Sequence, residues 1–392
     1  MTTLAEPAVP ARAETRWYQR PHLHAVLLYL FVRGFSVALL ALFAAKTGQP
    51  LLGRLTAWDG QFYLDIADYG YFGTTRGLYD AAGNYAPFTP LAFFPAYPTL
   101  LRIFTPVMLG STALAGLLVS TVSGCLAAAA IFRLARRVDG GVRTGLLLVA
   151  LWAGAPLAIT QSMVFTEALF TAFAAWALVG VIERRWLLAA ACCLGAGLTR
   201  STAAVLIAVV GVAALIAFFR ARERWTSLVC VALCPLGLLG WWIAVALWTG
   251  NPTGWFDLEW DNWRTRFDGG TEAVRFTWEN LVAGPSVMGT LTVLIMLGAA
   301  VLAVLLVKTL RPLSQWWPLA AYGAGVVLLV VGTAGLPTAK PRFLIPGFIL
   351  LFPIARGLAA RRPGTAVAAA AAFVLLGGWI SAYSLTGWRY VI

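Results

Sequence analysis

The sequence carries very little charge. Only 11% of its 392 residues are Asp, Glu, Lys or Arg, whereas 60% are hydrophobic. A soluble domain averages roughly 25% charged residues, so this chain lacks the polar surface that a globule needs in water. A helix that spans a bilayer needs about 20 mostly apolar residues. The composition therefore excludes an ordinary soluble protein and predicts an all-α polytopic membrane protein.

Histidine and cysteine are also scarce. The only histidines, His22 and His24, lie in the N-terminal tail, which excludes histidine catalysis and histidine-ligated metals on the opposite side of the membrane. All five cysteines fall inside predicted helices, so no disulfide is expected. Cys230 and Cys234 share a helix face without a histidine or carboxylate nearby, which favours packing over metal binding. We therefore expect no cofactor, and a divalent metal is not favoured.

Eleven apolar runs predict about eleven transmembrane helices. The first run lacks a small-residue cleavage site, so we expect it to be a retained helix. Residues 1–24 are a cytoplasmic tail, and 25–392 form a single membrane domain. The predicted spans are residues 25–45, 107–132, 143–162, 165–182, 186–199, 201–219, 226–248, 285–307, 316–334, 342–358 and 364–384.

Positive charge is concentrated on one side of this predicted topology. With the N-terminus in the cytoplasm, the inner segments hold 17 cations and five acids, whereas the outer segments hold 11 of each. Lys and Arg concentrate in cytoplasmic loops of membrane proteins. The net charge of +13 therefore reflects topology in a multi-pass plasma-membrane protein and does not indicate nucleic-acid binding.

Two long outer segments, 46–106 and 249–284, contrast with inner loops of about ten residues or fewer, as expected when loops build a binding site on one face. In the first segment Phe62, Ile66 and Tyr69 recur at helical spacing. A second amphipathic stretch, AFFPAYPTLLRIF, follows it. Both are too short and too polar to span, so we expect amphipathic helices lying in the membrane interface.

Two outer acids are candidates for catalysis. Asp59, between Trp58 and Gly60, has a carboxylate suited to accept a proton from a sugar hydroxyl or to hold a cation. The same position suits the N-cap of a short helix that ends before Gly70. Glu167 lies at the mouth of a helix pair in an otherwise apolar run. Such acids are functional candidates by default, although a first-turn acid also complements the helix dipole.

Three outer cations are candidates for binding a phosphate. Arg200 lies between two short helices, where its guanidinium is suited to pair with Glu167 or to grip a phosphate. Lys340 and Arg342 lie at the start of the tenth predicted helix, where backbone N–H groups also converge. The alternative is that these side chains are interfacial anchors, which normally concentrate on the cytoplasmic side.

The second outer segment combines tryptophans with acids. Indole rings stack on the C–H faces of sugars, and carboxylates bond their hydroxyls, so this pattern indicates sugar or acceptor binding. An interfacial aromatic belt is the alternative, and composition does not separate the two. The candidate sugar- and acceptor-binding residues are Trp58, Trp255, Glu259, Trp260 and Trp263.

Several blocks together resemble a known family. WDGQFYLDIADYGY, AFFPAYPTLLR, FTEALFTAF, GLTRSTAAVL, GNPTGWFDLEWDNWR and KPRFLIPGF occur in the order seen in PIG-V-type mannosyltransferases, which are GPI mannosyltransferase 2-like. The resemblance covers residues 25 to about 355. It implies a GT-C glycosyltransferase that uses a polyprenyl-phosphate sugar outside the cytoplasm, with inversion. Asp59 matches the family's acid in the first outer loop, Glu167 the acid of the TE block, and Arg200 the arginine after the fifth helix.

The resemblance implies transfer of mannose from polyprenyl-phosphate mannose to a lipid-anchored or cell-envelope glycan acceptor. Eukaryotic members commonly have Ser-Asn after the matched arginine, whereas here Thr202 follows Ser201, so acceptor contacts need not carry over. The alanine- and arginine-rich composition indicates a bacterial member. A flippase of lipid-linked sugars is one alternative, which should have broken helices in repeated halves. A non-catalytic subunit of a glycosyltransferase complex is the other.

Overall fold

The computed structural model describes residues 21–220 and 224–388, so most of the predicted N-terminal tail lies outside the described residues. Within these ranges the chain is mostly helical, with turns and irregular segments between the helices, and it contains two isolated bridges but no strand. The first nine helices are α1 (Pro21–Lys46), α2 (Leu51–Leu55), α3 (Asp59–Tyr69), α4 (Ala96–Phe104), α5 (Thr112–Asp139), α6 (Val142–Ala153), α7 (Glu167–Ile182), α8 (Trp186–Gly197) and α9 (Ala203–Phe219).

The second half of the chain continues the all-α pattern, which confirms the predicted fold class. Its helices are α10 (Arg224–Leu233), α11 (Leu236–Thr249), α12 (Gly254–Trp263), α13 (Thr271–Trp278), α14 (Val287–Thr309), α15 (Leu313–Val331), α16 (Lys340–Phe343), α17 (Phe352–Ala359) and α18 (Pro363–Gly387).

The lengths of the apolar helices support a multi-pass membrane protein but do not confirm eleven spans. Six stretches in the described residues are long and apolar enough to cross a membrane: α1, α5, α10 with α11, α14, α15 and α18. A seventh is possible through the pair Pro337–Phe343 and Ile345–Ala359, which is bent by 65°. The remaining four predicted spans correspond to α6–α9, which have only 12 to 17 residues each. Helices this short fall below the usual spanning length of about 20 residues.

The centre of the molecule is built from α5, α7 and α8. Helix α7 is apolar around almost its whole circumference and buried along most of its length, as expected for a core helix. It packs closely on α8, because a Cβ at Gly180 would lie 2.8 Å from the backbone nitrogen of Ala189. Small residues at such interfaces let helix backbones approach within a membrane domain. This core carries the N-terminus of α7, where Glu167 begins the helix.

No α-helix is present between α6 and α7, where residues 154–166 contain only the 3-10 helix Ala158–Ser162. Side chains from two other helices hold this connection. Arg33 of α1 donates from Nη1 to the carbonyl oxygen of Ala153 at 2.9 Å, and Ser120 of α5 donates to that of Met163 at 2.7 Å. Backbone groups that lack helical partners are thereby satisfied inside the protein, as a membrane domain requires.

Both predicted long outer segments contain helices of their own. The amphipathic stretches of the first segment form α3 and α4, and α3 ends at Gly70 with a φ of 76°, as the glycine predicted. Helix α3 packs on α4 and α5, so the first segment lies against the helix core. The second segment contains α12 and α13, and α12 packs on the short turn Thr89–Ala92 of the first. The two segments therefore cover one end of the helix bundle together.

Candidate active site

A cavity of about 930 Å³ lies where the two outer segments meet the ends of the core helices. Its walls come from α2 and α3, the α8–α9 junction, α12, the C-terminal end of α15, and α16. Five of the polar residues singled out in the sequence line it, although they come from four separate motifs: Asp59, Arg200, Glu259, Lys340 and Arg342. An apolar-walled cavity with a few convergent polar groups is the usual form of a small-molecule site.

Asp59 is the first residue of α3 and uses its carboxylate for an ion pair. Its Oδ2 accepts a hydrogen bond from Nη2 of Arg342 at 2.8 Å. The N-cap alternative is wrong, because the cap position belongs to Trp58 and no side chain caps the helix. Trp58 adopts a φ of 58° and ψ of −124°, a strained conformation for a residue with a Cβ. Such strain clusters at functional sites, which strengthens the case for Asp59 as a site residue.

Glycine at position 60 allows this helix start to approach the connection between α6 and α7. A Cβ at Gly60 would lie 3.1 Å from the carbonyl oxygen of Val164. The amide of Val164 in turn donates to the carbonyl oxygen of Leu55 at 2.9 Å. The segment that carries Asp59 is thus packed directly against the segment that leads to Glu167.

Glu167 forms the second ion pair of the site. Its side chain is fully buried, and Oε1 accepts a hydrogen bond from Nη1 of Arg200 at 2.7 Å. Arg200 also donates to the hydroxyl of Thr166 at 2.9 Å. Nε of Arg342 lies 4.0 Å from the same Oε1, so two acids and two arginines form one connected chain. Glu167 lies behind the arginines and is not part of the cavity lining, which suits it to hold them in place.

Arg342 retains unused hydrogen-bonding capacity. Its side chain is only 9% exposed, yet Nε and Nη1 have no hydrogen-bond partner among the described residues. The guanidinium carbon lies 4.7 Å from the ring centre of Phe343 and 5.3 Å from that of Phe165. Buried donors are normally satisfied, so these two atoms are suited to bind an anionic or polar group that enters the cavity.

Lys340 lines the cavity but is less available than the sequence suggested. It is 3% exposed, and its Nζ donates to the carbonyl oxygen of Val330 at 2.8 Å and to that of Thr333. A cation at the C-terminal end of a helix is stabilised by the helix dipole and by the free carbonyl groups there. The ammonium group therefore anchors the end of α15 and leaves one proton for any ligand.

The aromatic candidates divide into two groups. Trp58, Trp255 and Trp263 line the cavity together with Glu259, whereas Trp260 does not. Trp260 instead stacks with nearby cations, and the nearer guanidinium carbon, that of Arg266, lies 4.1 Å from its ring centre. The structure therefore places four of the five expected sugar- and acceptor-contacting residues at the cavity.

Trp255 also has a structural role. It is 6% exposed, and its indole N–H donates to the carbonyl oxygen of Ala92 at 3.2 Å. Its ring packs edge-on against Phe94, with ring centres 5.7 Å apart. This buried contact fixes α12 on the first outer segment and so orients the face that carries Glu259.

Glu259 combines a place in the cavity wall with a raised pKa. Its removal from water, and then the negative charge of Asp59, raise the pKa of Glu259 to about 8. The positive charges of Arg200 and Arg342 oppose this shift without cancelling it. This shift favours the protonated form of the carboxyl group near neutral pH, in contrast to an ordinary glutamate.

Sequence reasoning missed two cavity residues close to Asp59. Arg54 of α2 lines the cavity, its buried Nε has no hydrogen-bond partner among the described residues, and its Nη1 donates to the carbonyl oxygen of Leu385 at 3.4 Å. Tyr63 lies one turn after Asp59 on the same helix, and burial raises the pKa of its phenol. The i, i+4 spacing from Asp59 would have indicated Tyr63.

The overall architecture has a structural counterpart. The chain matches the crystal structure of ArnT from Cupriavidus metallidurans bound to undecaprenyl phosphate with a TM-score of 0.53. The sequence identity is 14%, and the match covers 93% of this chain and 75% of ArnT. No protein-family model and no curated protein matches the sequence. The likeness shows that the two chains share a fold, and it leaves the predicted PIG-V family without confirmation.

Proposed function

We propose that this protein is a GT-C glycosyltransferase that transfers a sugar from a polyprenyl-phosphate donor to a lipid-anchored or cell-envelope glycan acceptor. The sequence motifs favour mannose as the sugar and the extracytoplasmic face of the plasma membrane as the place of transfer. The observation that carries the proposal is the Asp59–Arg342 ion pair, 2.8 Å long, in the wall of a 930 Å³ cavity. This pair places a carboxylate that can accept a proton beside a guanidinium whose other N–H groups have no partner among the described residues.

The proposed reaction is a single displacement. The acceptor hydroxyl oxygen attacks the anomeric carbon of the donor sugar while Asp59 takes its proton. The bond between the anomeric carbon and the phosphate oxygen breaks, and the phosphate leaves with the electron pair. Attack opposite the leaving group inverts the configuration of the anomeric carbon. The carboxylate of Asp59 is 26% exposed, so an acceptor that enters the cavity can reach it.

Negative charge grows on the phosphate as this bond breaks. Nη1 of Arg342 is a buried donor without a partner in the described structure, and Arg200 and Arg54 line the same cavity. Charge stabilisation by donors that are already oriented is often the largest single contribution to catalysis. Lys340 contributes one further donor at most. We propose that these cations act in place of a divalent ion, so a chelator should leave transfer unchanged.

The structural neighbour supports the choice of donor. ArnT, which shares the fold, was crystallised with undecaprenyl phosphate bound. A polyprenyl phosphate joins an anionic head group to a chain that stays in the membrane. The cavity lies at one end of a helix bundle and has both arginines and aromatic side chains in its wall, which suits such a head group bearing a sugar.

The test is sugar transfer by the purified protein in nanodiscs. Polyprenyl-phosphate mannose with a radiolabelled sugar is supplied together with membrane glycolipids as acceptors, with and without EDTA. We expect label in the glycolipid fraction, released polyprenyl phosphate, and equal rates in both conditions. Movement of the intact lipid-linked sugar between leaflets without release of polyprenyl phosphate would instead identify a flippase. If transfer stops in EDTA and returns when a divalent ion is added, the proposal that these cations act in place of a metal ion is wrong.

A further inference from the structure

Glu259 is held in the cavity wall by a rigid helix. The buried Trp255 fixes one end of α12 through its bond to the carbonyl oxygen of Ala92. Near the other end, the hydroxyl of Thr89 donates to Oδ1 of Asn262 at 3.1 Å. Both attachments join α12 to the first outer segment, so the side chain of Glu259 faces the cavity from a fixed backbone.

The carboxyl group of Glu259 has no cationic partner of its own. Asp59 holds Arg342 at 2.8 Å, and Glu167 holds Arg200 at 2.7 Å. Across residues 21–220 and 224–388, Glu259 takes part in no ion pair. The two arginines whose charges act on the ionisation of Glu259 are thus already paired with other acids.

The charges around Glu259 come from every wall of the cavity. Asp59 on α3 favours its protonated form, whereas Arg200 at the α8–α9 junction and Arg342 on α16 favour its ionised form. Loss of solvent is the largest effect, and it too favours the protonated form. The remaining charged groups in the cavity wall are Arg54, Arg264 and Lys340.

A third negative charge would oppose the binding of an anion in this cavity. A protonated carboxyl group removes that repulsion and adds an O–H donor, whereas an ionised one can only accept hydrogen bonds. An O–H group that donates to an anionic oxygen forms one of the stronger hydrogen bonds in proteins. A bound phosphate would in turn stabilise the protonated form, because a nearby negative charge disfavours ionisation of an acid.

We propose that Glu259 works as a neutral carboxylic acid that donates a hydrogen bond to the anionic phosphate of the sugar donor. The inference rests on the proposed function and adds to it a phosphate-binding residue that is neither an arginine nor a lysine. Glu259 does not exchange its proton during transfer in this scheme, since Asp59 takes the proton of the acceptor hydroxyl. Ionisation of Glu259 at alkaline pH removes the donor and restores the repulsion.

The test compares Glu259→Gln, Glu259→Ala and wild type, with the exposed Glu279→Gln as control. Glutamine is neutral and keeps a donor in place of the acid O–H group. We expect its KM for the donor at pH 7 to stay within about threefold of wild type, and that of Glu259→Ala to rise about tenfold or more. Between about pH 8 and about pH 9.5 the wild-type KM should rise up to about tenfold per pH unit, while that of Glu259→Gln stays flat. The inference would be overturned if the donor KM of Glu259→Gln rose as much as that of Glu259→Ala. It would also be overturned if the donor KM of wild type and of Glu259→Gln rose equally above about pH 8.

Two further measurements separate this inference from the proposed function. Binding of undecaprenyl phosphate is measured at the same pH values, without any acceptor. Infrared spectra at pH 7 should contain the carbonyl band of a protonated carboxyl group in wild type, and this band should be missing from Glu259→Gln. If binding and the infrared band behave as expected but no sugar is transferred, the inference stands and the proposed function fails. An infrared band that is unchanged by the Gln substitution contradicts the inference whatever the activity.

Discussion

At the scale of single residues, two arginines have different neighbours from the other cations of the outer segments. Arg200 and Arg342 each hold an acid within 2.8 Å and also line the cavity. The Coulomb attraction within an ion pair is stronger in a partly desolvated site than on the surface, although the cost of desolvating the charges opposes it. In the proposed function these arginines would serve two partners, the acid that orients them and the phosphate of the donor.

Replacement of Arg200 should impair use of the donor. Arg200→Ala removes donors from the cavity, and a hydrogen bond to a charged group is worth about 1.5 to 3 kcal/mol, so the donor KM should rise by about one to two orders of magnitude. Arg102 on α4 is exposed and makes no ion pair among the described residues, so Arg102→Ala should change the KM by less than about twofold. Steady-state kinetics at varied donor concentration make the comparison.

Arg200→Lys serves as the second variant, because it keeps the charge beside Glu167 and avoids an unpaired buried acid. Its thermal midpoint should equal that of wild type. Its KM for the sugar donor should still be higher, since lysine lacks the planar pair of N–H groups of a guanidinium. Equal donor KM values for the Arg200 and Arg102 variants would remove Arg200 from the phosphate site.

Most of these residues could be predicted from local sequence, and the Arg200–Glu167 pair was one of the two roles expected for Arg200, but the Asp59–Arg342 pair could not be predicted. Asp59, Glu167, Arg200 and Arg342 each stand out as polar groups at the mouths of apolar runs. The contact between positions 59 and 342 joins residues 283 apart, and no local pattern encodes it. Sequence also does not reveal that the ammonium of Lys340 is taken up by carbonyl groups.

At the scale of elements, the connection between α6 and α7 determines where Glu167 begins its helix. The sequence predicted a continuous span over residues 143–162, but α6 ends at Ala153. Gly154 and Pro156 follow at once, and proline disfavours a helical conformation in the residue before it. The Gly-Ala-Pro sequence was a visible signal of this break. The side chains that stabilise it, from α1 and α5, become apparent only in the folded structure.

Ser120 on α5 should be important for this connection. Its hydroxyl is fully buried and donates to the carbonyl oxygen of Met163 at 2.7 Å, so Ser120→Ala removes the side-chain bond from α5, although the amide of Phe165 still donates to the same oxygen. Loss of one buried hydrogen bond costs about 0.5 to 1.5 kcal/mol, and the thermal midpoint should fall by a few degrees. Sugar transfer should also decrease, because the displaced connection leads directly into Glu167.

The neighbouring Thr121 is a matched control. It is exposed, and its hydroxyl bonds only to the carbonyl oxygen of Leu117 within its own helix. Thr121→Ala should therefore leave both the midpoint and the rate nearly unchanged. Equal midpoints for the Ser120 and Thr121 variants would show that the side-chain bond from α5 does not stabilise the connection.

At the scale of the whole molecule, the cavity and the cation-rich loops lie at opposite ends of the bundle. Helix α15 starts near the basic residues Lys308 and Arg311 and ends beside the cavity, at Val330 and Thr333. Positive charge normally stays in the cytoplasm, so the cavity should face outward. Periodicity was sufficient to predict the all-α class, whereas the outward orientation stays a prediction from charge. They did not settle the number of spans, because α6–α9 are too short to be identified by length alone.

Cysteine labelling in intact cells tests this orientation. Cysteines at Ala82 and Glu272 should react with a membrane-impermeant thiol reagent, whereas cysteines at Arg136 and Ala360 should react only after the membrane is opened. Ala82, Arg136 and Ala360 are exposed and Glu272 is partly exposed. The native cysteines are buried or half-buried, so background labelling should be low. Labelling at Arg136→Cys in sealed cells would place the cavity in the cytoplasm.

The most direct measurement of the central claim is the rate of sugar transfer by Asp59→Asn. Asparagine keeps the shape of the side chain and an oxygen that can accept the bond from Arg342, but it cannot take a proton at neutral pH. Loss of a general base costs about 10² to 10⁴ in rate, so we expect that loss in a protein that still folds, with a lower thermal midpoint because Arg342 loses its charged partner. Asp261→Asn, an exposed change in the same outer region, should retain the wild-type rate. A stable Asp59→Asn protein with near wild-type turnover would contradict the assignment of Asp59 as the base.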